Sequence, residues 1–276
     1  GRFILLYIII GVNLLVGCGR KAAPQYVIGV SQCSKDFWRD KFNKELQMAE
    51  YLNDSIQVKL ASSNDDSKLQ TRQINQMIDE KVDLLVIAPN QLNTISPAIN
   101  RAYDKGIPVI IYDRKANSNK YTAFIGCDNY AIGKSMGEFI AQKLQGKGRV
   151  VEIRGLEGSS PALERHRGFM EAMKKCPGMQ VVASEAGDWK EESGKKAMQR
   201  ILDKTRDFDY VFSHNDRMGW GAYQVVRDRG LARNYKFTGM DAMATRNGGL
   251  ELVRDGIFEA SYLYPTKGDE VVALAM

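Results

Sequence analysis

Short, almost wholly apolar segments alternate with longer amphipathic segments along most of this 276-residue chain. Residues 26–30, 83–89 and 107–113 are three of the apolar segments. Between them, apolar residues recur at helical spacing, as on the face formed by Trp38, Phe42, Leu46, Ala49 and Leu52. Continuous apolar strands separated by amphipathic helices are typical of parallel sheets that are covered by helices on both faces. The sequence therefore predicts an α/β fold.

A second series of such units follows from about residue 121 onward. It predicts strands at 150–154, 209–213 and 257–263 and helices at 161–175, 191–204 and 245–254. The number of strand–helix units is larger than a single open sheet usually contains, which favours two lobes with short connections between them. We assign residues 25–127 and 265–276 to an N-terminal lobe and residues 128–264 to a C-terminal lobe.

The first residues differ from this pattern. Residues 3–17 form an apolar run that follows Arg2. A spanning helix needs about 20 residues, whereas the core of a signal peptide is shorter. Residues 1–18 are therefore predicted to be a signal peptide, and the alternative is an uncleaved membrane anchor. The sequence Leu-Val-Gly-Cys at 15–18 is similar to a bacterial lipobox, which predicts a lipid on Cys18 unless this cysteine ends a membrane segment by chance.

The net charge of +6 does not indicate a nucleic-acid partner. Positive and negative residues are interspersed, as in KEESGKK at 190–196, and the sequence contains no basic arm or stripe. A DNA-binding headpiece would have to precede Tyr26, where the signal-like segment stands. The charges are therefore interpreted as a solvated surface.

An enzyme is the main competing class. Residues 133–137 match the Gly-x-Ser-x-Gly pattern of a hydrolase, but they lie inside a predicted helix and not at a strand-to-helix turn. A phosphate-binding loop would need glycine where Asp128 stands. His166 and His214 are the two histidines, and each is interpreted as an exposed or capping residue, with a place at the edge of a site as the alternative. No catalytic residue, cofactor or metal site is expected.

Polar and aromatic side chains follow several of the predicted strands. They are Lys35, Phe37 and Trp38 after the first strand, and then Asp113, Arg114, Asn215, Asp216, Asp241 and Tyr264. Ligands of open parallel sheets bind beyond the carboxyl ends of the strands, so these side chains are expected to face one cleft. Sugar hydroxyls both donate and accept hydrogen bonds, and the C–H faces of a sugar ring stack on aromatic rings. The sequence therefore predicts a sugar site, since an apolar ligand would leave these charges unpaired.

Each of these residues also has a plainer interpretation. Trp38 lies on the apolar face of its helix and suits a core position. Asp113 and Arg114 could form a solvated loop, and Asp241 could cap the following helix. Arg165 lies inside a predicted helix, where an exposed partner one turn away is the ordinary expectation. Their common placement at strand ends favours the binding site.

Five segments in order, at 107–114, 125–134, 155–169, 211–222 and 238–242, resemble the type I periplasmic sugar-binding proteins. This group includes ribose- and galactose-binding proteins and is related to effector domains of the lac-repressor type. The resemblance runs from about Tyr26 to Met276. It implies a two-lobed fold that closes around a ligand, with binding and no chemical turnover.

The resemblance also implies the residues that contact the sugar. These are Phe37, Trp38, Asp113, Arg114, Arg165, Trp189, Asn215, Asp241 and Tyr264. Trp189 and the aromatic group at the start of the first helix would sandwich the ring, and the polar residues would bind hydroxyls. Lys35 stands where ribose binders have an amide and Tyr264 where they have glutamine, so a sugar other than ribose is expected.

The last third, in particular 213–223 and 261–270, is similar to the periplasmic sensor domains of hybrid two-component histidine kinases. The chain also stops short of the usual family end, so the N-terminal lobe is expected to be incomplete. The resemblance thus implies a membrane-anchored periplasmic sugar sensor coupled to a histidine kinase module. The alternative is the substrate-binding lipoprotein of an ABC sugar transporter, with an ABC permease as partner, which the lipobox favours.

Overall fold

Two parallel β-sheets flanked by helices make up the computed structural model, which describes residues 24–276. The predicted signal segment and Cys18 lie outside the described residues. The first part of the chain forms β1 (Tyr26–Gln32), α1 (Phe37–Leu52), β2 (Ile56–Ser62), α2 (Ser67–Asp79), β3 (Leu84–Ile87), α3 (Ser96–Asp104), β4 (Val109–Tyr112) and β5 (Ala123–Ile125). These strands form one sheet in the order β2-β1-β3-β4-β5.

The second sheet has the order β10-β9-β8-β6-β7. Its elements are α4 (Asn129–Lys143), β6 (Lys147–Arg154), α5 (Ser160–Lys174), β7 (Gly178–Ala186), α6 (Glu191–Lys204), β8 (Tyr210–Ser213), α7 (Asp216–Asp228), β9 (Lys236–Asp241), α8 (Gly249–Arg254) and β10 (Ala260–Leu263). A last helix, α9 (Gly268–Ala275), packs against α1 of the first lobe. The predicted α/β class with parallel sheets is confirmed.

Both faces of each sheet are buried. In β3, Leu85 and Ile87 pack into one hydrophobic cluster, while Val86 between them packs into the cluster on the opposite face. In β6, Val150 and Val151 divide between two clusters in the same way. Side chains alternate across a strand, so two covered faces require a continuous apolar strand, which is the pattern in the sequence.

The chain passes between the sheets twice. It leaves the first sheet after β5 and enters α4 through residues 126–128, and it leaves the second sheet after β10 and reaches α9 through residues 264–267. The division into lobes at 127/128 and 264/265 stays a prediction. Across residues 24–276, no helix combines the length and apolar character needed to cross a bilayer.

The sequence placed two elements inaccurately. The helix predicted over 245–254 begins only at Gly249, and the strand predicted over 257–263 begins at Ala260. Positive φ angles at Ala242 (48°) and Asn247 (53°) keep the segment between β9 and α8 out of a right-handed helix. This irregular segment contributes Met243, Thr245 and Gly248 to the cavity described below.

Candidate functional site

A cavity of about 80 Å³ lies between the two lobes, where the strands of both sheets end. All nine side chains assigned to a sugar site line it, namely Phe37, Trp38, Asp113, Arg114, Arg165, Trp189, Asn215, Asp241 and Tyr264. Lys35, which also follows a strand, is exposed and does not line the cavity. The strand-end argument named seven of these residues, and the resemblance added Arg165 and Trp189; the contact of all nine with a sugar stays a prediction.

Asp113 is a hydrogen-bond acceptor of the first lobe that two neighbouring side chains hold in place. It directly follows β4, and its carboxylate accepts hydrogen bonds from Nη2 of Arg39 (2.5 Å) and from the Tyr264 hydroxyl (2.9 Å). Nη1 of the adjacent Arg114 donates to the backbone carbonyl of Asn90 at 2.9 Å. Both residues are buried, so the interpretation of this pair as a solvated loop is wrong.

Arg165 is the central cation of the second lobe. It lies on α5 and is only 3% exposed, so the expectation of an exposed helix position with a surface partner is wrong. Nε donates to Oδ1 of Asn129 at 2.9 Å, and Nη1 donates to the backbone carbonyl of His214 at 2.5 Å. The guanidinium carbon lies 5.4 Å from the ring centre of Trp189 and 4.7 Å from that of Tyr264. Nη2 has no protein partner among the described residues.

Asp241 lines the same cavity as Arg165 and forms a pair of carboxyl groups with Asp216. It ends β9 well before α8 begins, so it is not the cap of that helix. Its carboxyl group forms no hydrogen bond with residues 24–276. The neighbouring Asp216 accepts hydrogen bonds from Oγ of Ser261 (2.6 Å) and from the amide of Ala242 (2.8 Å). Asp241 is therefore the carboxyl group of this pair that remains available to a ligand.

Burial raises the pKa of both aspartates of this pair. The pKa of Asp216 rises to about 7, because loss of water outweighs its hydrogen bonds and the attraction of Arg165. The pKa of Asp241 lies well above its ordinary value, because of burial first and then the nearby Asp216 charge. Like charges this close disfavour double ionisation, so the pair tends to hold a proton.

Aromatic rings form the remaining walls. Phe37 is 58% exposed, and the Arg217 guanidinium lies 5.4 Å from its ring centre. Trp38 lines the cavity, stacks on Tyr112 and donates its Nε1 hydrogen to the backbone carbonyl of Tyr264 (3.0 Å), so it serves both the core and the cavity. The two rings that line the cavity are therefore held by different neighbours, Phe37 by Arg217 and Trp38 by Tyr112 and Tyr264.

Trp189 is held against the backbone of the second lobe. A Cβ atom added to Gly155 would lie 2.1 Å from its indole, so only glycine allows this position. Asn215 caps α7 by accepting from the amide of Met218, and its side-chain amide donates to the carbonyl of Trp189 at 3.1 Å. The buried indole Nε1 has no hydrogen-bond partner among the described residues. Asn215 thus supports Trp189 as well as lining the cavity.

Three of the nine residues have positive φ angles, namely Asp113 (60°), Trp189 (69°) and Asp241 (108°). Residues with side chains rarely adopt such angles, and they concentrate at sites where the surrounding structure imposes them. The angle at Asp241 lies outside the small left-handed region that side chains tolerate best. Residues with strained backbone angles therefore line the same cavity as the polar and aromatic side chains.

Several residues at the site were not assigned from the sequence. Asp36, Arg39, Asp216 and Arg217 also line the cavity. Asp216 was visible as a strand-end residue. Arg39 lies on α1 and pairs with Asp113 of the same lobe, and Arg217 lies on α7 and pairs with Glu191, and neither pairing has a local signal in the sequence. Ser135 lies inside α4, so the hydrolase-like pattern at 133–137 lacks the turn that such a motif needs.

A second polar cluster is centred on Glu152, which the sequence did not single out, and includes both histidines. Glu152, in the middle of β6, accepts hydrogen bonds from His166, His214 and Ser184. His214 is fully buried, so its interpretation as an exposed or capping residue is wrong. Burial alone would raise the pKa of Glu152, but its bonds to His166 and His214 lower it to about 2. Within residues 24–276, no cluster of three or more His, Cys, Asp or Glu side chains is placed to hold a metal.

The family model of the periplasmic binding protein domain matches residues 27–276. The chain belongs to this family. The galactofuranose-binding protein of Escherichia coli is 29% identical over 234 residues, which cover 82% of this chain and 73% of that protein. The ribose import binding protein of Bacillus subtilis is 32% identical over 175 residues, which cover 63% of this chain and 57% of that protein.

Among solved structures, the fructose-binding periplasmic domain of a hybrid two-component system matches this periplasmic binding protein domain with a TM-score of 0.89. The two are 43% identical, and the match covers 91% of this chain and 84% of that one. The resemblance recognised in the sequence, including that to the sensor domains of hybrid two-component systems, is therefore confirmed.

Proposed function

We propose that this chain binds one neutral monosaccharide in the cavity between its lobes and acts as a periplasmic sugar receptor. The observation that carries the proposal is that Arg165 and Asp241, a donor and an acceptor, line one cavity and keep unused hydrogen-bonding capacity. Sugar hydroxyls can serve both groups at once, and charged partners strengthen such bonds to about 1.5–3 kcal/mol each.

The charges that line the cavity favour a neutral ligand. Four aspartates stand against four arginines, namely Asp36, Asp113, Asp216 and Asp241 against Arg39, Arg114, Arg165 and Arg217, so the cavity carries no large net charge even when the Asp216–Asp241 pair holds one proton. Asp113 and Arg39 form a buried ion pair with each other. An anionic ligand such as an amino-acid carboxylate would meet the free carboxyl group of Asp241. This arrangement therefore supports a polyhydroxylated ligand without a charge.

Fructose is the ligand that we propose to test first. The structural neighbour with 43% identity is a fructose-binding domain, whereas the ribose importer of Bacillus subtilis is 32% identical over a shorter match. A thermal-shift screen of the purified chain with fructose, galactose, ribose and glutamate tests the choice. At 100 times its dissociation constant, a ligand adds about 2.7 kcal/mol to the free energy of unfolding. A shift with fructose supports the proposal, and a shift with glutamate alone contradicts it.

The sensor function is favoured over transport by the same neighbour, which belongs to a hybrid two-component system. The partner would then be a histidine kinase module that responds to lobe closure. The match to a ribose import protein supports the second candidate, a substrate-binding protein that delivers sugar to an ABC permease. Deletion of this chain in its native host separates them. A sensor mutant loses sugar-dependent transcription but retains uptake, whereas a transporter mutant loses uptake itself.

Attachment to the membrane through Cys18 is part of the proposal. Residues 15–18 have the order of a lipobox directly after an apolar run. Multiple acyl chains hold a protein firmly at a bilayer, whereas one chain holds it weakly. Detergent partitioning of the whole chain should move from the detergent phase to the aqueous phase in Cys18→Ser. Unchanged partitioning of Cys18→Ser would favour the uncleaved membrane anchor.

A further inference from the structure

A chain of hydrogen bonds crosses the back of the cavity from one lobe to the other. The Tyr264 hydroxyl donates to Oδ1 of Asp113 at 2.9 Å and accepts from Nδ2 of Asn129 at 3.4 Å. Oδ1 of Asn129 accepts from Nε of Arg165 at 2.9 Å. All four residues are buried. We call this set, Asp113, Tyr264, Asn129 and Arg165, the hinge network.

The two middle members lie where the chain passes between the lobes. Asn129 is the first residue of α4, directly after the crossing at 126–128, and its side-chain amide also donates to the carbonyl of Cys127 at 3.3 Å. Tyr264 begins the crossing at 264–267, and its own carbonyl accepts from Trp38. Closure of two lobes concentrates backbone rotation in such segments. A change in the angle between the lobes must therefore change the hinge network.

The Tyr264 hydroxyl forms two hydrogen bonds within this network. Its one hydrogen goes to Asp113, and it accepts from Asn129. Its ring lies beneath the guanidinium of Arg165, 4.7 Å away. The hydroxyl therefore contacts Asp113 of the first lobe directly and Arg165 of the second lobe through Asn129, and it has no hydrogen left to donate to a ligand.

We propose that Tyr264 and Asn129 are positioning residues that fix Asp113 and Arg165 for the ligand and connect ligand binding to the hinge between the lobes. This proposal rests on the proposed sugar site. A ligand that draws Asp113 and Arg165 together favours the lobe angle at which all three bonds form. The same bonds make the closed geometry the favoured one before the ligand arrives.

Tyr264→Phe tests the proposal, because it retains the buried ring and its contact with Arg165 but removes the hydroxyl. Titration calorimetry with fructose should show about a tenfold loss of affinity, which corresponds to the loss of one charge-assisted hydrogen bond. Tyr262→Phe is the matched control, since Tyr262 lies on β10 two residues earlier and is partly exposed. The affinity of the control should equal that of the wild type.

A second measurement does not need the ligand. Small-angle X-ray scattering of the sugar-free chain should give a larger radius of gyration for Tyr264→Phe than for wild type and Tyr262→Phe. Wild-type affinity together with a wild-type radius in Tyr264→Phe overturns the positioning role but leaves the sugar site intact. If the wild type binds no sugar and Tyr264→Phe is still expanded, the hinge network stands and the proposed function fails. A wild-type chain without sugar binding and an unexpanded variant would reject both.

Discussion

Oε1 of Glu152 lies 2.9 Å from Nε2 of His214 in the interior of the second lobe, where neither side chain reaches solvent. The other ring nitrogen of His214 accepts from the amide of Gly155 at 3.3 Å, and its carbonyl accepts from Arg165. Gly155 in turn contacts the indole of Trp189. One buried carboxylate therefore supports, through His214, both a charge and a ring of the cavity wall.

Glu152→Gln is expected to lower both stability and sugar affinity. Glutamine replaces one acceptor oxygen with a donor, which then faces donors from the histidines and Ser184. An unsatisfied buried hydrogen-bonding group costs about 1–3 kcal/mol. Urea unfolding monitored by tryptophan fluorescence measures the loss, with Glu171→Gln on the surface of α5 as the control. Equal midpoints for the two variants would show that the cluster contributes little.

The pH dependence of stability should reveal the carboxyl pair in the cavity. Burial raises the pKa of Asp216 from 3.8 to about 7, so between these values the folded chain binds a proton that the unfolded chain has lost. Asp216 therefore lowers the free energy of unfolding as pH rises through this window, by at most about 1.4 kcal/mol per pH unit, and its effect is constant above it.

Asp216→Asn removes this slope while retaining a side chain of the same shape. The free energy of unfolding of the variant minus that of the wild type should increase from pH 4 to pH 7, as measured by urea titrations at several pH values. Asp203→Asn, at an exposed position of α6, is the control and should follow the wild type. Parallel curves for Asp216→Asn and the wild type would contradict the raised pKa.

The alternation of apolar strands and amphipathic helices was sufficient to predict the class of fold. The helix predicted over 191–204 matches α6, and the strand predicted over 209–213 matches β8 to within one residue. Such segments are predictable because parallel strands are buried on both faces, so their pattern depends little on distant residues. Residues 245–248 were predicted as helix and are not, because backbone angles such as that of Asn247 are set by tertiary packing.

Without the family resemblance, which supplied Arg165 and Trp189, the site could be predicted only where a strand leads to it. Asp113 and Asn215 follow β4 and β8, and Asp241 ends β9, so the rule for the carboxyl ends of parallel strands found them. Arg39 lies on α1, and its buried ion pair is with Asp113, 74 residues away. Glu152 and His214 are separated by 62 residues. Neighbouring residues in a single sequence give no signal for pairs that lie so far apart along the chain.

Gly155→Ala should weaken sugar binding without any change in a ligand-contacting side chain. The new methyl group would lie 2.1 Å from the indole of Trp189, so the ring must move out of its position. We expect an affinity loss comparable to that of Trp189→Ala, about tenfold, because an aromatic stacking face contributes on the order of 0.5–1.5 kcal/mol beyond its buried area. Calorimetric titration of the double variant provides the control. Gly155→Ala should cost little once the indole is absent, and an additive further loss would contradict this mechanism.

Asp241→Ala is the most direct test of the proposed contacts. The carboxyl group of Asp241 forms no hydrogen bond with residues 24–276, so its removal leaves no protein group unpaired in the sugar-free chain. In the complex, the loss of an acceptor leaves ligand hydroxyls unsatisfied in a cavity from which water is excluded. We expect affinity to fall about tenfold to several hundredfold.

Asp113→Ala should give a different result. This variant leaves the Arg39 guanidinium buried without its carboxylate, and breaking a buried ion pair from one side costs about 3–5 kcal/mol. Its loss of affinity will therefore be accompanied by a lower free energy of unfolding, whereas Asp241→Ala should unfold at or above the wild-type urea midpoint, since the charge that burial disfavours is gone. Calorimetric titration with fructose and urea unfolding of both variants, with Asp203→Ala as the surface control, separate the two roles. If Asp241→Ala is folded and binds sugar as tightly as the wild type, the ligand does not bind between Arg165 and Asp241.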